Sequence, residues 1–302
     1  MDDLSGIISR RKRQDFVFNI IGIICLLVGI VTLVALIGKL TVDGLGRINW
    51  QFLTSYPSRF ASQSGILSAL VGTVLIMLVT AFTAVPLGIA AGLYLEEYAR
   101  KNRLTNIIEI NIANLAGVPS IIYGLMALGL LVYQLRLGQS ILAGGLTLAF
   151  LILPIVIVAT REALRTIPQS IRDGAYALGS TKWQVVRYHL LPYSTGGIMT
   201  GVIIAVSRAI GETAPLITIG ALTFIAFLPP PPIQSQAPFV SFDWVWSPFA
   251  VLPIQMFNWV SRPDQEFLTT AASAGLVLVV VTLSLNAVAI FIRYRVRRRI
   301  KW

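Results

Sequence analysis

Long apolar runs alternate with short polar segments along this chain of 302 residues. A helix needs about 20 mostly apolar residues to cross the hydrocarbon core of a membrane. The pattern predicts six transmembrane helices, at 16–38, 66–95, 107–133, 140–160, 195–227 and 268–292. The expected fold class is therefore an all-α membrane protein. The first run follows basic residues at 10–13 but is too long for a secretory signal, so we expect a retained anchor.

Lysine and arginine are unequally divided between the two sides that six spans define. The side holding both termini carries 18 of them, in the N-terminal tail, at 100–103, between Arg161 and Arg187, and after Ile292. The other side carries five, namely Lys39, Arg47, Arg59, Arg136 and Arg262. Because cytoplasmic loops hold the excess of positive charge, we expect both termini in the cytoplasm.

Composition supports a membrane protein, with 56% hydrophobic and 12% charged residues. The net charge of +11 is also found in nucleic-acid-binding proteins. Here the basic residues lie in short clusters beside apolar runs, where they set topology, so we expect a lipid bilayer and no nucleic acid as partner. The single cysteine, Cys25, can form no internal disulfide and is interpreted as a packing residue.

Two connections are too long to be simple turns. The cytoplasmic one, 161–192, is interpreted as two short amphipathic helices separated at Gly179, the second ended by Pro192. The external one, 228–267, contains four consecutive prolines, and its tryptophans are expected at the membrane interface. We divide the chain into a tail, first helix and external loop (1–65), a transmembrane core (66–292) and a basic tail (293–302).

The cytoplasmic connection has a regular spacing: Asp-Gly-Ala at 173–175, three residues, Gly179, nine residues, His189, one residue and Leu-Pro at 191–192. This resembles the EAA loop of ABC importer permeases, E-A-A-x3-G-x9-I-x-L-P. Asp, Gly and His depart from that pattern at 173, 174 and 189. The resemblance implies a coupling loop that sits in a groove of a separate ATPase, formed by Asp173, Gly174, Ala175, Gly179, Leu191 and Pro192.

An alternative is a helix resting on anionic lipid, since the segment contains Arg161, Arg165, Arg172, Lys182 and Arg187. That interpretation does not require the spacing from Gly179 to Pro192 and is less favoured. His189 is interpreted as a helix-terminal polar residue. The sequence lacks a G-x-x-x-x-G-K-[ST] motif, HExxH, paired cysteines and GxSxG. We therefore predict no catalytic residues, metal or cofactor in this chain, and assign ATP and Mg²⁺ to a partner.

A charged pair, Arg208 and Glu212, lies inside the fifth apolar run. Placing arginine at mid-membrane costs on the order of 2.5–3.5 kcal/mol, so it usually faces a cavity or a partner. Four residues apart, the two are predicted on one helix face, beside a kink at Gly211 and Pro215. One interpretation is that the pair has a purely structural role and holds helices together. We favour a transient oxyanion site, because a guanidinium offers a planar fork of donors.

The carboxylate of Glu212 makes the predicted site selective. Monohydrogen phosphate carries a proton that a carboxylate can accept, whereas sulfate has none and would be repelled. Two roles are compatible with the sequence: Glu212 restrains Arg208, or it detects the phosphate proton.

Further segments are similar to the PstA permeases of phosphate ABC importers: YLEEYA at 94–99, NLAGVPSIIYGL at 114–125, GGLTLAFLILP at 144–154, DGAYALGSTKW at 173–183 and RAIGETAP at 208–215. The similarity extends from about residue 65 to the end. It implies the type I ABC importer permease fold, in which 66–292 is the permease core, and places Thr213 beside Arg208 and Glu212 in the substrate pathway.

The same resemblance implies a function and its partners. The chain would carry inorganic phosphate across the bacterial inner membrane by alternating access, powered by a separate ATPase. The implied partners are a PstC-like second permease subunit, a PstB-like ATPase dimer and a periplasmic PstS-like phosphate-binding protein. Alternatives are a sulfate or molybdate permease, a scaffold relaying phosphate status to a sensor kinase, and an autonomous channel or carrier.

Small residues in the second and third spans predict close helix approach, at Gly88, Ala91, Gly92, Gly117, Pro119, Ser120 and Gly124. Pro119 is also expected to break the third span. Three carboxylates near the cytoplasmic ends of these spans are interpreted as solvated or interfacial charges, Glu96, Glu97 and Glu109.

Overall fold

The computed structural model describes residues 2–222, 224–233, 239 and 241–298. Its α-helices are α1 (Asp2–Gly44), α2 (Trp50–Thr54), α3 (Leu67–Leu93), α4 (Arg103–Leu115), α5 (Ser120–Ala127), α6 (Ile141–Arg165), α7 (Gln169–Ala177), α8 (Lys182–Val185), α9 (Leu191–Gly211), α10 (Ala214–Thr218), α11 (Leu252–Val260) and α12 (Glu266–Arg298). Three π-helical turns lie at Tyr94–Tyr98 after α3, Leu128–Gln134 after α5, and Val186–Leu190 between α8 and α9.

The predicted transmembrane spans are confirmed in number when one broken span is included. Among the described residues, five helical segments are long and apolar enough to cross a membrane: Arg11–Arg47, Leu67–Tyr98, Ile141–Arg165, Lys182–Gly211 and Glu266–Arg295. The sixth consists of two helical segments, Arg103–Leu115 and Ser120–Gln134, which meet at 106°. Pro119 precedes the second segment with extended backbone, so the predicted break is confirmed.

The fifth span differs from its prediction of 195–227. Its helical segment begins at Lys182 and ends at Gly211, and Glu212 adopts extended backbone with φ −76° and ψ 127°. Pro215 then lies in the first turn of the short helix α10, where its missing N–H needs no intrahelical partner. The predicted kink is therefore a complete helix break.

Helix α6 packs between α3 and α9 at the centre of the fold. Small residues allow this approach: a Cβ atom on Gly88 would lie 2.6 Å from Val156 Cγ1, and one on Gly92 would lie 2.7 Å from Thr160 Cβ. On the other side, Gly201 of α9 sits directly on Ala159. The close approach predicted at Gly88 and Gly92 is confirmed.

Helix α12 packs on α9 and α11, and α1 lies on α12 at the periphery. The Ser273 hydroxyl donates to the Gly44 carbonyl at 2.7 Å, which fixes the C-terminal end of α1. Apolar side chains of α1 are exposed along its length, from Phe16 to Ile37. That surface suits contact with lipid.

The second half of the external connection is part of the core. The Leu252 N–H donates to Thr73 Oγ1 at 2.9 Å. Trp259 is fully buried, with its ring centroid 6.5 Å from those of Phe52 and Phe267. Trp259 therefore contacts protein, because α11 packs against α12 and α3, and its position relative to the membrane interface stays a prediction. Trp246, by contrast, is exposed.

Candidate functional site

Arg208 and Glu212 form the predicted pair, but across a helix end. Arg208 lies in the last turn of α9, and its Nε is 3.3 Å from Glu212 Oε1. Glu212 follows the last residue of the helix, so the prediction of one continuous helix face is wrong. The arginine side chain is 38% exposed and that of Glu212 is 17% exposed.

The exposure of Arg208 leaves its fork of donors accessible. Among the described residues, its guanidinium makes this ion pair through Nε. The two terminal nitrogens are then suited to hold an oxyanion in bidentate fashion. An arginine in an apolar helix must face water or protein, so this surface of α9 is one that lipid does not cover.

The break in the third span lies beside the break in the fifth. Gly124 of α5 sits against α10, where an added Cβ would be 2.6 Å from Pro215 Cα. The Tyr123 hydroxyl donates to the Leu115 carbonyl at 2.8 Å, which fixes the bend between α4 and α5. Tyr123 also lies within electrostatic range of Arg208. Two interrupted helices therefore meet close to the charged pair.

Thr213, the third predicted substrate-pathway residue, precedes α10 and is half-buried. Its carbonyl accepts from the N–H groups of Leu216 and Ile217 at 3.2 and 3.0 Å. The backbone of Thr213 thus fixes the start of α10 directly after Glu212. Its predicted contact with a substrate stays a prediction.

A polar contact that the sequence reasoning missed supports the turn carrying Arg208. The Ser207 hydroxyl lies 2.8 Å from Asn286 Oδ1 on α12 and 2.7 Å from the Ile203 carbonyl. Asparagine is costly in an apolar span unless it finds such a partner. Asn286 is a lone amide in the last apolar run of the sequence, and its presence there could have indicated a polar contact with another helix.

The predicted glycine bend of the coupling loop is confirmed. Gly179 has φ +80°, and it ends α7 in a Schellman motif. Its N–H donates to Tyr176 O at 2.9 Å, and the Ser180 N–H donates to Ala175 O at 3.1 Å. Asp173 and Gly174 are exposed on α7, whereas Ala175 is buried beneath them. Asp173 and Gly174 therefore form part of the exposed surface of α7.

The predicted helix end at Pro192 is wrong, because Leu191 and Pro192 begin α9. The chain continues from α8 through the π-helical turn into α9, with Pro192 in the first turn of α9. The turn widens the backbone where a regular helix would clash with the proline ring. Leu191 packs against the apolar cluster of the loop.

Glu96, Glu97 and Glu109 form ion pairs with arginines, so the alternative of freely solvated charges is wrong, whereas their interfacial position stays a prediction. Arg161 Nε lies 3.3 Å from Glu96 Oε2, and its Nη2 lies 2.7 Å from Glu109 Oε1. Arg172 Nη2 lies 2.7 Å from Glu97 Oε1. The other contacts are those of Arg165 with Glu96 at 3.0 Å, with Glu162 at 3.1 Å and with Glu109 at 3.9 Å.

These pairs weaken the lipid-surface interpretation of the loop. Arg161 and Arg172 are only 6% and 9% exposed. Lys182 Nζ lies 5.0 Å from the Tyr98 ring centroid. Two of the five basic residues counted for lipid binding are therefore buried in protein, and Arg165 and Lys182 also contact protein groups. Among the described residues, no cluster of three or more histidine, cysteine, aspartate or glutamate side chains is placed to hold a metal ion.

The helical fold, its two broken spans and its two-helix projection at 169–190 are those of a membrane component of a transport system. The chain matches the family described as binding-protein-dependent transport system inner membrane component over residues 84–302, and it belongs to that family. It is therefore a multi-pass inner-membrane protein, and its relatives are ABC transporter permease subunits, which are not catalytic. Membership implies a separate ATPase and a substrate-binding protein.

Curated relatives share about a third of their residues with this chain. It is 31% identical to the phosphate transport system permease protein PstA of Yersinia pestis, over 93% of this chain and 92% of that protein. It is 30% identical to the probable ABC transporter permease protein YqgI of Bacillus subtilis, over 84% and 87%. It is 31% identical to PstA 1 of Mycobacterium tuberculosis strain H37Rv, over 80% and 73%.

A solved structure shares the fold. The inward-facing MetNI methionine ABC transporter matches with a TM-score of 0.55 and 17% identity, covering 76% of this chain and 94% of that one. The similarity confirms the predicted type I ABC importer permease fold.

Proposed function

We propose that this chain is a transmembrane subunit of an ATP-driven importer that moves inorganic phosphate across the bacterial inner membrane. The observation that carries the proposal is Arg208, which holds an accessible guanidinium at a break in a membrane helix. The family to which the chain belongs supports a role in transport, and the relatives described as phosphate transport permeases support phosphate as the substrate.

The chemistry of the charged pair fits phosphate better than sulfate. The terminal nitrogens of Arg208 would hold two oxygens of the oxyanion, while Glu212 stays within 3.3 Å of Nε. The P–OH group of monohydrogen phosphate can donate a hydrogen bond to the Glu212 carboxylate, whereas sulfate has no proton to donate and offers only negative charge to it. Thr213 completes the proposed substrate pathway.

The two helix breaks supply the movable parts for alternating access. Helix α10 is separated from α9 by the extended Glu212, and α5 packs directly on α10 through Gly124. A shift of α10 would therefore move α5 with it and change access to Arg208. Short helices between breaks absorb such movement with few changed dihedral angles.

We assign the partners and topology on the same grounds. A PstC-like permease subunit would cover the exposed surface around Arg208. A PstB-like ATPase dimer, which uses ATP and Mg²⁺, would receive the exposed face of α7 at Asp173 and Gly174. A PstS-like protein would deliver phosphate from the periplasm. Both termini would then be cytoplasmic, with 1–65, 66–292 and 293–302 as the three regions of the chain.

The exposed part of the external connection is the proposed contact surface for the binding protein. Phe242 and Trp246 are exposed at the external end, whereas the segment around α11 is buried. Deleting 228–267 would therefore remove core, and point substitutions are the suitable test. Phe242→Ala and Trp246→Ala should reduce binding-protein-stimulated ATP hydrolysis and leave assembly intact; loss of assembly would argue against this role.

Uptake by the assembled complex tests the proposed substrate. The chain, its permease and ATPase partners and the binding protein are reconstituted in proteoliposomes and supplied with labelled phosphate, sulfate or molybdate. We expect ATP-dependent phosphate uptake that excess sulfate does not inhibit. Sulfate or molybdate uptake without phosphate uptake would identify the alternative substrate. Phosphate flux through this chain alone would indicate a channel or carrier.

A further inference from the structure

A cluster of three carboxylates and three arginines joins the cytoplasmic loop to the second and third spans: Glu96, Glu97, Glu109, Arg161, Arg165 and Arg172. We propose that this acid–arginine cluster transmits movement of the coupling loop to those spans, with Glu97 and Arg172 as its central positioning residues. The inference rests on the proposed function, since it concerns how ATP-driven movement reaches the substrate pathway.

Arg172 connects the loop to two other elements at once. It lies on α7, and its Nη2 contacts Glu97 Oε1 at 2.7 Å in the turn that extends α3. The same guanidinium donates to Ile167 O at 2.8 Å and to Leu164 O at 3.1 Å, at the end of α6. Arg172 and Glu97 side chains are only 11% and 8% exposed. Movement of α7 therefore cannot occur without moving Glu97 or breaking a buried ion pair.

Arg161 extends the connection to the third span. It lies near the cytoplasmic end of α6, and it contacts Glu96 of the second span and Glu109 of α4. Arg165, one turn further along α6, also contacts Glu96. Ion pairs thus connect the second, third and fourth membrane spans with the loop. Through these ion pairs, a rotation of α7 would displace α4. The C-terminal end of α4 leads into the bend beside Arg208.

The backbone directs the two adjacent glutamates, Glu96 and Glu97, toward different arginines. Glu96 and Glu97 lie in the π-helical turn Tyr94–Tyr98, where the helix is locally wider. Glu96 faces the arginines of α6, and Glu97 faces the arginine of α7. Isolated π-helical turns occur frequently at functional sites.

Apolar packing alone does not make this connection. The buried apolar cluster of the loop is formed by α6, the segments of the loop itself and the start of the fifth span, at Leu164, Ile167, Ala175, Val185, Val186 and Leu190. From the second span, Leu93 packs against its edge. The cluster of charges is therefore the principal directional link between α7 and the second span.

The test compares ATP use with phosphate movement in the fully assembled complex. Glu97→Gln removes the charge but keeps the shape of the side chain. We expect assembly and ATP hydrolysis to persist, while phosphate moved per ATP falls about fivefold or more. Glu97→Asp, which restores a carboxylate, should recover part of that ratio. The matched control is Glu162→Gln, because Glu162 is exposed and, among the described residues, its ion pair is with Arg165 of its own helix.

A merely structural role would give a different result. Assembly or ATP hydrolysis and uptake would then fall in proportion, and the amount of phosphate moved per ATP would not change; that outcome overturns the proposal. If the Glu97→Gln complex does not assemble, Glu109→Gln, at a more exposed carboxylate, serves as the second variant and should also lower the ratio. An unchanged ratio, or failure of both to assemble, overturns the proposal.

The wild-type complex separates this inference from the proposed function. A wild-type complex that hydrolyses ATP but moves no phosphate refutes the function itself. If the wild-type complex moves phosphate and the variants move the same amount of phosphate per ATP, only the role of the acid–arginine cluster is refuted.

Discussion

Arg208 Nε lies 3.3 Å from Glu212 Oε1, although the helix carrying Arg208 ends one residue before Glu212. The pair therefore spans a junction and not a rigid helical turn. Rotation of the backbone around Glu212 can separate the two side chains without unwinding α9. Such a junction lets Glu212 adjust its position while an oxyanion binds to and leaves the terminal nitrogens of the guanidinium, as a transient site requires.

Glu212→Gln separates the two roles that Glu212 can have. Glutamine still accepts a hydrogen bond from Arg208 but carries no charge to repel sulfate. If Glu212 distinguishes phosphate by its proton, excess sulfate should now inhibit uptake of labelled phosphate. If Glu212 only restrains Arg208, sulfate should remain without effect. Glu266→Gln, at an exposed carboxylate at the start of α12, is the control.

Gly179 is required for its backbone conformation. Its φ of +80° lies in the left-handed region, where a residue with a Cβ costs about 1–2 kcal/mol. Gly179→Val should distort the end of α7 and lower ATP-driven uptake, and Gly179→Asn should retain most of it, since asparagine tolerates this region. The control is Gly196→Ala, at a helical position with open space around it. Equal uptake by the valine and asparagine variants would contradict the requirement.

Trp259 should stabilise the external end of the bundle. It is fully buried between Phe52 and Phe267, and truncation of such a side chain costs about 3–5 kcal/mol. Trp259→Ala is therefore expected to lower the thermal unfolding midpoint and the yield of folded protein. Trp246→Ala, at an exposed position, should leave both unchanged. A Trp259→Ala protein as stable as wild type would show that α11 is not part of the core.

The contact between Ser207 and Asn286 should stabilise the packing of α9 on α12. Interhelical hydrogen bonds in membranes contribute about 0.6 kcal/mol on average and up to about 1.7 kcal/mol. Asn286→Ala should lower the unfolding midpoint slightly, and combining it with Ser207→Ala should add little. Ser284→Ala serves as the control, because its hydroxyl donates to the Val280 carbonyl of the same helix and, within the described part of the chain, to no other helix. Fully additive effects of the pair would argue against a direct contact.

Features set by local chemistry could be predicted from the sequence. The thickness of a membrane fixes the length of an apolar helix, so α3, α6 and α12 were predicted with errors of a few residues. The break at Pro119 and the bend at Gly179 follow from the backbone restrictions of proline and the freedom of glycine.

Features set by distant partners could not be predicted. Glu97 and Arg172 are 75 residues apart, and Ser207 and Asn286 are 79 residues apart. Their pairing depends on which helix ends meet, and apolar length does not determine that. The end of α9 at Gly211 was missed for a related reason, because residues beyond it stay apolar while packing as a separate short helix.

The central claim is that Arg208 holds the transported phosphate, and uptake by Arg208 variants tests it most directly. In proteoliposomes containing the full complex, Arg208→Ala should lower phosphate uptake about 10- to 100-fold, since a hydrogen bond to a charged group contributes about 1.5–3 kcal/mol. Arg208→Lys, which keeps the charge but loses the fork, should be intermediate. Assembly and basal ATP hydrolysis should match wild type, as should uptake by the control Arg136→Ala, at an exposed arginine outside the spans. Arg208→Ala uptake equal to that of the Arg136→Ala control would contradict the account.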